Sequence, residues 1–135
     1  MPTRSTAHVV TTHTLFCLKG GINYDMQLFL CAILNSFVAN YLVRMRVGTH
    51  VTVAIMERLP VPRPAADSSA FRRIVALTRR VMATPANGLT APRLQATVAH
   101  LYELSSSNFQ HVLDTLPLVP LNERRAAMEC FLRQP

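Results

Sequence analysis

The chain has 135 residues, enough for one domain or a piece of a larger one, and half of them are hydrophobic. That proportion excludes wholesale disorder. Fourteen basic residues against seven acidic ones give a formal charge of +7, and every basic residue except Lys19 is an arginine, so an anionic partner suited to a planar donor fork is expected.

Residues 8–18, "HVVTTHTLFCL", are rich in Val, Thr and Phe and predict a strand. "KGGIN" reads as a turn. A long helix is expected from Tyr24 or Asp25 to about Arg46, with Asp25 at its positive end and Arg44 and Arg46 at its negative end. Ser36, Asn40 and Arg44 recur every four residues, a narrow polar stripe on an otherwise apolar cylinder. Gly48 is the natural stop. Residues 49–59 fit a short strand or one or two helical turns, and "PVPRPAAD" a stiff connector. Four short helices follow. Ser68 or Ser69 caps one through Thr84, and Thr90, with Pro92 in the first turn, opens one through about Leu104. Ser105 to Ser107 cap a third through Leu116, and Asn122 caps the last through Leu132.

The expected architecture is therefore α+β and mainly α. A short N-terminal β element precedes one long buried helix and a cluster of about four short helices. Residues 1–62 would hold the β element and the long helix through the Leu-Pro-Val-Pro segment. Residues 63–135 would form the helical tail, the whole being one compact domain or a fragment of a larger protein.

Chemistry-bearing motifs are sparse. Cys17, Cys31 and Cys130 are odd in number and widely spaced, which fits a reducing cytoplasm better than a disulfide scaffold. The first fourteen residues contain no apolar run of signal-peptide length. "MQLFLCAILNSFVANYLV" is interrupted by Asn35, Ser36 and Asn40 and falls short of the roughly 20 apolar residues a membrane span needs. His8, His13, Cys17 and His50 lack the tight pairing of zinc ligands, and nothing orients His50 as a base for Cys17. No metal or cofactor is expected. Glycine-rich phosphate loops are absent, as is any carboxylate pair. The clearest charge pattern lies in the helix from Ser69. Phe71, Ile74, Val75, Thr78, Val81 and Met82 share one side, and Arg72, Arg73, Arg79 and Arg80 the other. Seven residues at helical rise set the two arginine pairs roughly 10 Å apart. Duplex phosphates or an acidic protein face would satisfy them; a plain solvated face is the alternative.

Residues 33–62, "ILNSFVANYLVRMRVGTHVTVAIMERLPVP", carry an "LNS" helix, a "YLVR" continuation, a Gly-Thr-His turn and a terminal "LPVP". This combination resembles the target-recognition region of N6-adenine DNA methyltransferases, the large enzymes of restriction–modification systems. "THTLFCL" at 12–18, "APRLQATVAHLYEL" at 91–104 and "FQHVLDTLPLVP" at 109–120 extend the resemblance over most of the chain. Two positions depart from it, Glu103 where a glycine is expected and Leu116 where phenylalanine is usual. The family's Asn- or Asp-Pro-Pro-aromatic catalytic loop and its cofactor loop are missing.

The resemblance implies a DNA-recognition or C-terminal structural module, non-catalytic by itself and cytoplasmic, with double-stranded DNA and a methyltransferase domain or chain as partners. It places Arg44, Arg46, Thr49, His50 and Thr52 at the end of the apolar helix, where phosphates and base edges would be contacted. Arg72, Arg73, Arg79 and Arg80 join them as DNA-binding candidates. Three rival readings remain: a protein–protein docking subunit that self-associates or binds a methylase chain without touching DNA, a hydrolase or transferase built on Cys17 and His50, and a remnant fragment that folds and does nothing.

Overall fold

Residues 20–84 and 88–134 are described by a computed structural model. Among them are seven helices and no strand: α1 (Tyr24–Leu34), α2 (Phe37–Arg44), α3 (Val53–Glu57), α4 (Ser69–Ala83), α5 (Thr90–Leu101), α6 (Ser106–Asp114) and α7 (Leu121–Arg133). The α+β expectation is corrected accordingly, to an all-helical fold over the described residues. The strand expected at residues 8–18 lies outside them. Residues 49–59, open between strand and helix, contain the short helix α3, whose N-cap is Thr52.

The single long helix is also corrected. It is two helices, α1 and α2, bent by 59°. Ser36 is the cause. Its backbone is extended, its hydroxyl accepts from the Ala39 N–H at 3.0 Å, and the same hydroxyl donates to the Ile33 carbonyl at 2.7 Å. A short hydroxyl side chain that satisfies backbone groups locally competes with the helical ladder. Gln95 of α5 braces the break from outside, accepting from the Phe37 N–H at 2.8 Å. α2 then ends at Arg44, before Gly48 is reached. No single described helix is long and apolar enough to cross a membrane.

Side-chain caps start five helices: Asn23, Ser36, Thr52, Ser68 and Ser105 each accept from a backbone N–H three residues on. Ser68 and Ser105 match the expected starts. Asp25 sits in the first turn of α1, with Asn23 as the cap, and Asn122 sits inside α7, which Pro120 precedes.

Helix α5 is the spine. Its Leu94 and Val98 pack with Leu28, Phe29 and Ile33 of α1 and Phe71 and Ile74 of α4. Its Ala96 and Ala99 pack instead with Val38 of α2, Phe109 and Leu113 of α6, and Ala127 and Phe131 of α7. Ala96, Ala99 and Ala127 are fully buried, and side chains this small let α5 and α7 approach closely. The His100 and Phe131 rings stack between the same two helices at 4.0 Å. The Leu-Pro-Val-Pro segment folds back onto this body: Leu59 is buried, Val61 packs against the α1/α4/α5 cluster, and the Tyr102 hydroxyl donates to the Pro60 carbonyl at 2.8 Å.

Candidate functional site

Helix α4 buries Phe71, Ile74, Val75, Leu77 and Thr78 and leaves all four of its arginines exposed. A rotation of about 100° per residue divides those arginines into two rows, Arg72 with Arg79 and Arg73 with Arg80. The rows have different fates. Arg79 is ion-paired with Asp25 of α1 and lies over the Tyr24 ring, 5.4 Å from its centroid. Both partners of that pair are about half exposed (52% and 51%), so the contact contributes no more than about 1 kcal/mol. Arg73 and Arg80 face a groove instead.

The groove has a volume of about 500 Å³ and lies between α4, the start of α5 and the end of α7. Arg73 and Arg80 line it from α4, Arg93 from α5 and Arg133 from α7. Ala76, Leu77, Leu89 and Ala126 form its apolar part, and among the described residues Glu129 is the one carboxylate in its lining. Among the described residues the ion pair of Arg79 with Asp25 is the only one, so none of the four groove arginines has a carboxylate within salt-bridge reach. Helix dipoles do not set the sign here, because the start of α5 and the end of α7 meet at the same groove with opposite polarity. The guanidiniums do.

The other expected cluster does not join this groove. Arg44 donates to the Thr115 carbonyl at 3.0 Å, tying the end of α2 to the end of α6. Arg124, in the first turns of α7, donates to the Leu113 carbonyl nearby in sequence, so Arg44 lies toward the opposite end of α7 from Arg133. Arg46, two residues past the end of α2, donates back to the Leu42 carbonyl of that helix at 2.9 Å. Thr52 caps α3. Thr49 and His50 are exposed beside it. Two of the five side chains are thus engaged with backbone carbonyls and a third with a cap, while α3 buries none of its residues and leaves Met45, Val51 and Val53 exposed around it.

Arg93 and Arg133 escaped the sequence reading. Each is a single arginine on a separate helix, without a local pattern, and only the overall arginine excess hinted at them. A smaller cavity of about 110 Å³, lined in part by Cys31, Asn35, Thr78 and Gln95, lies between α1, α4 and α5. Burial pushes the Cys31 thiol above its ordinary range, which disfavours the reactive thiolate. Among the described residues no three His, Cys, Asp or Glu side chains come together as a metal site. His8, His13 and Cys17 lie outside them.

Compared with known proteins, the chain matches no family model, no curated protein and no solved structure.

Proposed function

We propose that this chain is a DNA-recognition or C-terminal structural module of a restriction–modification adenine methyltransferase. It works in the cytoplasm, holds the duplex backbone, and leaves methyl transfer to a partner domain or chain. The observation that carries this reading is the arginine surface of α4, α5 and α7, where Arg72, Arg73, Arg80, Arg93 and Arg133 are exposed and, among the described residues, have no carboxylate partner. The pattern of residues 33–62 and 91–120 supplies the methyltransferase context. Guanidinium contacts to phosphate position DNA without reading its sequence, so base readout would fall to the uncovered segment around Thr49 and His50.

The test is binding of a labelled mixed-sequence duplex across a salt series. Affinity should fall steeply with salt, and Arg72→Ala/Arg73→Ala/Arg80→Ala should shallow the slope by up to about 2.7 logarithmic units per decade of salt if all three meet phosphates. Arg79 is left intact because it holds α1. Absence of binding at low salt sinks the proposal. Exposed Met45, Val51 and Val53 favour a second reading, in which this segment docks a methylase chain or a second copy without DNA. Sedimentation showing self-association together with indifference to DNA selects it.

A further inference from the structure

The groove between α4, α5 and α7 is a concavity, not a flat face, and four arginines converge on it. Its volume of about 500 Å³ falls within the range of small-molecule sites, roughly 300–1,000 Å³. Among the described residues, four guanidiniums against the carboxylate of Glu129 leave three positive charges in excess around this one space. Arg44, Arg46 and Arg124 bond to backbone carbonyls and Arg79 to Asp25, while Arg58, Arg63, Arg72 and Arg125 are unbonded among the described residues but scattered outside the groove. Among the described residues, the guanidiniums of Arg73, Arg80, Arg93 and Arg133 make no such bond, although three different helices bring them together. All four are exposed, so what gathers at the groove is the mutual repulsion of hydrated like charges, and a multiply charged anion relieves it.

We propose that this groove is a binding site for a phosphate-dense anion, a di- or triphosphate group whose charge offsets the excess. Guanidinium forks donate in pairs to phosphate oxygens, so four of them can engage several phosphate groups at once without a glycine-rich loop. A duplex strand spaces its phosphates along the helix at about 3.4 Å of rise each and does not gather them into one concavity. Leu77, Leu89 and Ala126 flank the arginines with apolar surface that suits the rest of a nucleotide. The group has two sources: a free inorganic or nucleoside polyphosphate, or a nucleic-acid strand ending in a 5′-triphosphate. The site shares Arg73, Arg80, Arg93 and Arg133 with the surface that carries the duplex-binding reading, but the two readings predict different ligands.

Isothermal titration of the full chain at constant ionic strength tests it, with inorganic triphosphate, pyrophosphate and orthophosphate as probes. Triphosphate should bind at a single site at least tenfold more tightly than orthophosphate. Arg93→Gln/Arg133→Gln should lower its affinity at least tenfold, whereas Arg72→Ala, on the other row of α4, should leave it unchanged. Circular dichroism checks the fold, and if the double variant unfolds, Arg133→Gln alone, in the exposed last turn of α7, must still weaken binding severalfold. Equal affinity for triphosphate and orthophosphate overturns the proposal, as does an Arg72→Ala loss equal to that of the groove variant. With the site established, ATP binding tighter than inorganic triphosphate assigns the nucleotide source. A 5′-triphosphate oligonucleotide outcompeting its 5′-hydroxyl counterpart assigns the strand end. Triphosphate binding that persists in a chain indifferent to duplex removes the DNA reading and leaves this one standing.

Discussion

Glu103 has φ +56°, in the left-handed region that costs a residue with a side chain about 1–2 kcal/mol. The cause is the end of α5. The Leu104 N–H donates to the Ala99 carbonyl and the Glu103 N–H to the His100 carbonyl, a Schellman arrangement that places Glu103 itself in the left-handed conformation. A glycine is the residue expected at this position from the sequence, and the left-handed conformation that Glu103 adopts is the one glycine takes without strain. Glu103→Gly should stabilise the fold by about 0.5–1 kcal/mol, the relieved strain being partly offset by glycine's larger unfolded-state entropy. Chemical denaturation measures it, and a loss of stability contradicts it. One residue earlier, burial pushes the Tyr102 phenol above its ordinary range. A pKa raised by folding means that stability is full below the ordinary phenol value and is lost as pH rises through the raised one. Cys31, also raised by burial, adds the same sign over the thiol range. Tyr102→Phe should cost about 1 kcal/mol at neutral pH, where the bond to Pro60 is lost, and should lessen the alkaline fall. Urea midpoints at neutral pH and near pH 11 compare the two, and an unchanged alkaline fall would remove Tyr102 from the account.

At the scale of elements, the break between α1 and α2 is the decisive feature. Ser36 is 1% exposed, and its hydroxyl both caps α2 and bonds the last turn of α1. Ser36→Ala should therefore cost about 1–2 kcal/mol. The thermal midpoint reads this directly, and a neutral outcome would show that Gln95 alone holds the bend. Periodicity could not reveal the break, because Ser36, Asn40 and Arg44 fall four apart and so imitate one face of a continuous helix. The starts of α4 and α6 were legible because Ser68 and Ser105 stand at changes from proline- or serine-rich connection to amphipathic pattern. Asn122 misled for a related reason: it is a good cap by type, yet Pro120 already turns the chain into α7.

Across the whole molecule, α5 belongs to both hydrophobic clusters, one with α1 and α4 and one with α2, α6 and α7. Two clusters sharing a helix should unfold as one transition. Phe109, fully buried in the second cluster against Phe131 at 4.9 Å, provides the check. Phe109→Ala should cost about 3–5 kcal/mol, a large share of a typical domain's 5–15 kcal/mol, and should lower a single midpoint. Two separated transitions by circular dichroism would show the clusters to be independent. The same three-helix arrangement around α5 creates the arginine groove, so the candidate site exists only as long as both clusters hold.

From its sequence alone the chain determined its arginine excess, the amphipathic character of α4 and the starts of α1, α4, α5 and α6, all of them properties of composition or of neighbours within two turns. Tertiary structure decided which arginines matter. Arg73 and Arg79 look equivalent along the chain, but helical rotation and the position of Asp25 turn one toward a groove and engage the other in an ion pair. Arg93 and Arg133 enter the site only because α5 and α7 pack closely through Ala96, Ala99 and Ala127. Charge is additive along a sequence, whereas its concentration in one place depends on distances that only packing sets.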